Sequence, residues 1–275
     1  MSTASRRIAS LLDDADLAQA MDAVKTELKT AASDHDLRHL YIDLLILAGD
    51  YEKADSQCEL AVRFQPQDAV GFSLLRQQIR GMAARKAWFE TGALPDFPGG
   101  PTASDQIALK LNLALKEGAA SEAVALLAEL EESRGTVPML WNGGAVADVR
   151  DLDDRIPHAL EVLTTGGAYL WVDFSRIAAV TPQPIRRPRD TAFRPAELTL
   201  ESGAEASVLL PAIYYGTDSS PALQLGHQTE WVDAVDGIVT GLGQRCLLAG
   251  DELVSFHDLE SLQSDATGER QAAHG

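Results

Sequence analysis

The sequence predicts an α+β chain: a tetratricopeptide-like helical front over residues 1–136, a β-rich antiparallel back over 137–263, and a flexible tail over 264–275. Three observations carry that prediction. Apolar residues recur at helical spacing from residue 6 to residue 134. From about Val137 the pattern changes to Pro, Gly and short β-rich runs. Every lysine lies before that change, whereas the back half uses arginine alone.

In chain order, Leu17, Ala20, Met21, Val24 and Leu28 mark one helix, and Leu37, Leu40, Tyr41, Leu44, Leu45 and Leu47 the next. Gly49-Asp50 reads as a helix stop followed by a fresh start. Pro66 ends the following helix, and Asp68 is placed to cap the one after it. Ile107 to Leu115 and Ala123 to Leu130 form a further pair broken at Gly118, with Thr91 to Pro101 a Gly- and Pro-bearing loop before them. Strands are expected at Tyr169 to Phe174, Ile177 to Val180, Val208 to Tyr215, Leu223 to Leu225 and Arg245 to Leu248. One helix is expected around Pro157 to Leu163, with Pro tolerated in its first turn. Strands do not alternate with long helices, which favours an antiparallel sheet. The residues after Gln263 are polar and small and are expected to fray.

A period stands behind the helices. Gly49-Asp-Tyr51-Glu-Lys-Ala54, then Cys58, Ala61 and Pro66, follows the second half of a tetratricopeptide repeat. Asp16-Leu-Ala-Gln-Ala20 echoes it, 34 residues earlier from Ala20 to Ala54, and Gly118-Ala-Ala-Ser-Glu-Ala123 echoes it again. Alanine at a helix crossing lets two backbones approach closely. The blander reading is any bundle of helical hairpins with alanine at its crossings. Stacked repeats usually present a curved surface to a peptide or helix.

The bulk numbers narrow the function. With 275 residues, 45% of them hydrophobic and 23% charged, the chain has the composition of a globular protein. A formal net charge of −18 argues against nucleic acid or anionic lipid, whose phosphates call for Lys and Arg. Cys58 and Cys246 stand far apart, with no Cys-x-x-Cys pair, so neither a disulfide framework nor a zinc site is implied. Met1 to Ile8 lacks the apolar core of a signal peptide, and the most apolar run, Leu40 to Ala48, is too short for a bilayer and contains Asp43. A cytoplasmic location without membrane insertion is expected.

Order along the back half supplies a more specific signal. Asp151-Leu-Asp153-Asp-Arg155-Ile-Pro-His-Ala-Leu160-Glu161, Tyr169-Leu-Trp171-Val172-Asp-Phe174 with Ile177, and Arg189-Asp190 with Phe193-Arg194-Pro195-Ala196 follow one another. Pro211 with Tyr214-Tyr-Gly216, Leu223 with Thr229-Glu-Trp231, and Gly241-Leu-Gly-Gln-Arg245 complete the series. This series resembles the ImpE/TagJ, or SciE-type, accessory proteins of type VI secretion, over roughly residues 10 to 250. Asp173 and Tyr215 stand where that family has proline, and Phe193 where it has tryptophan. The resemblance implies a non-enzymatic adaptor without a cofactor. It implies binding to the N-terminal helix of the sheath's small subunit and a link to the ClpV-type unfoldase that recycles the contracted sheath. It marks Asp151, Asp153, Arg155, Trp171, Trp231 and Arg245 as motif residues expected to be structural. From the residues themselves, Trp171 and Trp231 are expected to pack the core of the back half, and Trp88, beside Phe89 and the loop, to cover a helix edge.

Other constellations have two readings each. His35 and His39 stand one turn apart, as a zinc pair would, but without the zincin glutamate or a visible third ligand, so no metal is expected. Asp148, Asp151, Asp153 and Asp154 suit either a hard cation or pairing with Arg150 and Arg155 plus a helix cap; the second is preferred because the Gly and Glu of an EF-hand are missing. Gly241-Leu-Gly243 lacks the rest of a phosphate loop and reads as a strand entry or turn. Arg186, Arg187, Arg189 and Arg194, set among prolines, are expected to satisfy the chain's own carboxylates or to grip an acidic partner.

In the repeat register, Leu12, His39, Asp43 and Ile46 face the concave side. A mixed apolar and acidic groove suits an amphipathic helix carrying some basic residues. The rival expectations are a general peptide-binding scaffold with another client and a metal-dependent hydrolase using the Asp148 to Asp154 run.

Overall fold

The computed structural model describes residues 3–216 and 220–265; the expected tail falls outside these from residue 266 onward. Helices α1 (Thr3–Asp13) and α2 (Leu17–Thr30), then α3 (His35–Leu47) and α4 (Tyr51–Phe64), form consecutive hairpins ahead of the long α5 (Ala69–Thr91). The aspartates start these helices. Asp16, Asp34 and Asp50 accept hydrogen bonds from the backbone N–H of Gln19, Leu37 and Lys53. Ala20 and Ala54, each four residues past its aspartate, are fully buried, as is Ala123 on α7 (Ala120–Arg134), the partner of α6 (Ala103–Glu117). The recurring cap and the close-packed alanine are the physical content of the sequence period.

Asp68 departs from expectation. The 3-10 turn Pro66–Asp68 runs straight into α5, and Asp68 makes no side-chain cap. Its carboxylate instead crosses to α3, 2.9 Å from His35 Nε2.

The back half is antiparallel at every named pairing. Its main sheet has the order β2 (Gly144–Val146), β1 (Met139–Trp141), β13 (Leu262–Ser264), β6 (Ile177–Pro182), β7 (Phe193–Leu200), β8 (Glu205–Pro211), β4 (Ala159–Thr164) and β5 (Tyr169–Asp173). A three-stranded sheet joins β12 (Glu252–Ser255), β11 (Cys246–Ala249) and β3 (Val149–Asp151), and β9 (Thr229–Val235) pairs with β10 (Ile238–Gly243). The fold class is therefore the predicted one. Ser264, expected in the tail, still pairs with Met139.

Two elements differ from the sequence reading. Pro157 to Leu163 was expected to be helical, yet Ala159–Thr164 is strand β4, hydrogen-bonded to β5 and β8. The strand is covered on both faces. Ala159 and Leu163 join the core shared with the helices, while Leu160 and Val162 join a second core inside the back half. Burial on both sides removes the alternation that betrays a strand. Leu223 to Leu225 is not a strand either; the short helix α8 (Pro221–Gln224) starts at a proline and buries Leu223.

The halves share one core. Ile79, Met82 and Trp88 of α5 belong to the same apolar cluster as Tyr169, Trp171, Phe193 and Ile213. The connection between α5 and α6 lies along the outer edge of β5: the Asp96 N–H donates to Tyr169 O at 2.9 Å, and the Trp171 N–H donates to Asp96 O at 3.1 Å.

Candidate functional site: the seam between the halves

Glu161 lies on the face of β4 that meets the helices. Arg85 of α5 reaches it with two parallel bonds, 2.8 and 2.9 Å, and donates a third at 3.1 Å to Ile213 O. Arg245 pairs with the same carboxylate from the far side, and the Tyr169 hydroxyl donates to it at 2.5 Å while accepting Trp171 Nε1–H at 2.7 Å. All five residues are buried. Burial pushes the Glu161 carboxyl up, but Arg85 and Arg245 outweigh it and hold the group well below the usual carboxylate range. The sequence did not single out Arg85. Its signal is the Arg85-Lys86 pair between Met82 and Trp88, of which Arg85 falls on the buried side of the helix.

The motif residues extend this network. Arg245 Nη1 lies 3.5 Å from Asp151, whose carboxyl is raised by burial to about 6 against the pull of that arginine. The Tyr214 hydroxyl lies 3.1 Å from Asp151 Oδ1 and 2.8 Å from Cys246 O, and it accepts the Cys246 N–H at 3.0 Å. Asp153 accepts from the backbone and guanidinium of Arg155 and from the Gly241 N–H at 3.1 Å. Asp154 takes Arg150 and the Val239 N–H, and Asp148 takes Arg134 and the Val137 N–H. The acidic run is thus matched by arginines and backbone donors, though no helix starts at Ile156 for it to cap. Gly241 and Gly243 serve close approach: a Cβ at Gly241 would lie 2.2 Å from the Tyr214 ring, and one at Gly243, where φ is +83°, 2.1 Å from Gln228 O.

The tryptophans divide otherwise than expected. Trp171 is buried, and its ring meets Trp88 edge-on at 5.0 Å, so Trp88 sits in the shared core rather than on a helix edge. Trp231 is not a core residue. It stands on β9 at 40% exposure, 5.8 Å from the Tyr214 ring.

The expected groove and the expected basic patch turn out to answer each other. Asp43, 1% exposed, accepts from Arg187 Nε at 3.0 Å and from Arg189 Nη1 at 2.8 Å. Arg187 precedes and Arg189 lies within the 3-10 turn Pro188–Thr191, which packs on α3 and covers Asp43 where an open groove was expected, leaving a recess of about 300 Å³ beside His35 and His39. The sequence signal was Asp43 itself, a single acid inside the most apolar run. Arg194 is buried and caps the carbonyls of Gln183, Phe256 and His257, leaving Arg186 as the exposed member of the set. Ile46 is buried at 1% exposure, and Leu12 is half-buried against the helical core. His39 stacks on Phe72 at 4.5 Å with its Nε2 3.0 Å from that of His35, and burial, reinforced by Arg187, pushes it down to about 4. Among the described residues no three His, Cys, Asp or Glu side chains are arranged to hold a metal. Both cysteines are buried, and burial raises the Cys58 thiol to about 12.

A cleft of about 390 Å³ opens along the seam beside the Glu161 network. Its walls are the C-terminal end of α3, Tyr51, Phe193, the segment Ile213 to Gly216, and Lys86 and Glu90 of α5. Ile46, itself buried, lies behind the α3 wall. Both halves build this cleft together, as they do the recess of about 300 Å³ between His35, His39, Asp43 and Arg186 to Pro188.

Comparison with known proteins follows the same seam. Residues 143–263 match the model of the family described as ImpE protein. Over 261 residues the chain is 27% identical to the type VI secretion system accessory component TagJ of Pseudomonas aeruginosa, covering 94% of this chain and 89% of that protein. A crystal structure of a Vibrio parahaemolyticus protein superposes with a TM-score of 0.88 at 28% identity, covering 94% of this chain and 97% of that one. The resemblance read from the motifs is borne out.

Proposed function

From a chain that carries an ImpE-type back half and is TagJ-like over nearly its whole length, we propose a non-enzymatic accessory component of type VI secretion. In this reading it holds the N-terminal helix of the sheath's small subunit and assists the ClpV-type unfoldase that recycles the sheath. The observation that supports the proposal is continuity: the likeness runs through helices and strands alike, over 94% of the chain. Consecutive helical hairpins are scaffolds that usually bind other chains rather than react with them. The seam's ionisable groups are engaged with one another, which suits a structural purpose. The net charge of −18 favours a helix with basic residues.

The docking surface needs restating. Asp43 and Ile46 are enclosed, so a change such as Ile46→Asp would disturb the core rather than probe a groove. We take the mouth of the seam cleft as the docking surface instead. No helix among the described residues is long and apolar enough to cross a membrane, and we read the cytoplasm as the place of action.

Co-purification tests the proposal. The full chain should retain the sheath's small subunit and lose it when that subunit's first helix is deleted. Retention that ignores the deletion, or none at all, would assign this scaffold to another client.

A further inference from the structure

The chemistry of the seam cleft selects among possible occupants. Tyr215 of its wall stacks on Phe89, ring centroids 4.5 Å apart and planes 3° from parallel, and the Arg155 guanidinium lies over the same Phe89 ring at 4.9 Å. The chain thus already builds one arginine-on-aromatic stack, and it ends in the cleft on half-buried Tyr215. The Tyr215 hydroxyl donates to Glu90 Oε1 at 2.7 Å, placing a half-exposed carboxylate beside that ring. The opposite lip is the turn that joins the C-terminal end of α3 to Tyr51, the first residue of α4, so the partial charges of the two helix ends offset each other there. Tyr51 completes the aromatic lining, its hydroxyl without a hydrogen-bond partner among the described residues and kept protonated by burial, which raises it to about 12. An aromatic face and a carboxylate together favour a cation. The local cation that opposes this is Lys86, whose Nζ lies 3.8 Å from Glu90 and is solvent-accessible, so it can swing away. Arg85 is already committed to Glu161.

We propose that the seam cleft is a receptor for a cationic side chain, arginine in the first place, projecting from a basic segment of a partner protein. The planar guanidinium matches both the Tyr215 face and the Glu90 carboxylate, which a compact ammonium does less well. This deepens the adaptor reading by naming what the partner inserts.

The test uses the full chain and two small probes, N-acetyl-arginine amide and its neutral isostere N-acetyl-citrulline amide, titrated while backbone amides are followed by NMR. The arginine probe should give saturable shifts at Glu90, Tyr215 and Gly216, with the citrulline probe about tenfold weaker or more. Glu90→Gln should weaken the arginine probe by about tenfold, and Lys86→Met should strengthen it by roughly threefold. Both residues are about half exposed, so unchanged melting temperatures are expected for the two variants. Equal response to the two probes, no saturable shift at those amides, or weaker binding in Lys86→Met would overturn the proposal. N-acetyl-glutamate amide shifting the same resonances more tightly would make the cleft an anion site. Because the probes contain no sheath protein, failure here is distinguishable from failure of the co-purification.

Discussion

Two carboxylates, Glu161 and Asp43, each bind a pair of arginines and each help join helices to strands, Glu161 through Arg85 and Asp43 through Arg187 and Arg189, yet their surroundings differ. Glu161 is sealed: Arg85 and Arg245 are as buried as the acid, and Tyr169 adds a further bond. Asp43 is as deeply buried, but its arginines come from a proline-flanked segment, and the Arg187 side chain is 36% exposed. A charge pair shut off from water cannot lose one member without stranding the other. A pair with one member at the surface can, because the freed guanidinium hydrates. The first node therefore fixes the halves to each other, and the second pins a segment over α3.

That contrast is breakable in a graded way. Glu161→Gln should have the largest effect, about 3–5 kcal/mol of lost stability in urea denaturation, because two buried guanidiniums lose their counter-charge. Asp43→Asn should cost less, about 1–3 kcal/mol, and should loosen exchange of amides in residues 183–192 before any other part of the back half. Equal costs for the two variants would erase the distinction. Arg187→Ala should cost under about 1 kcal/mol, since its exposed side chain is already screened by solvent.

Acid sharpens the same comparison through opposite signs. The Glu161 carboxyl is held low, so its contribution is complete above the ordinary carboxylate range and disappears only in strong acid. Burial raises the Asp43 carboxyl against its two arginines, so its contribution shrinks as pH rises from the ordinary value through the raised one. His39, beside the Asp43 node, ionises near 4 in the folded chain, against about 6.5 unfolded. Its neutral form thus adds stability that is full above pH 6.5 and lost as pH falls to 4. The smallest effect expected follows: the advantage of the wild type over His39→Gln in urea midpoint should grow between pH 4.5 and 7, and a constant difference would reject the buried-neutral histidine.

Legibility in the sequence followed the same physics. Helices α2, α4, α6 and α7 announced themselves because each has one buried face and a solvated one, with aspartate or glycine at its ends, whereas α3, buried all round from Ile42 to Leu47, showed itself by its length and its Asp34 and Gly49 boundaries. Strand β4 did not, because both its faces are covered and Ala-Leu-Glu-Val-Leu is equally good helix composition. The three-residue strands β1, β2, β3 and β13 carry too few positions for any period to register. Among the functional residues, each charge was visible as a residue type, and Asp43 as an anomaly in an apolar run. The pairings Asp43–Arg187 and Arg85–Glu161 span 144 and 76 residues, and no local pattern encodes a partner at that distance. The cleft was invisible for the same reason, since its walls come from five separate stretches of chain.

The contact of Asp96 with β5 reaches beyond geometry. A seven-helix front that lends one residue to the border of a sheet is acting as that sheet's selvedge. A back half produced alone, from residue 137 onward, would leave the Tyr169 carbonyl and the Trp171 amide unanswered and would tend to stick edge to edge with its own copies. The two halves are then obliged to travel as one polypeptide for reasons of solubility, whatever each contributes to binding.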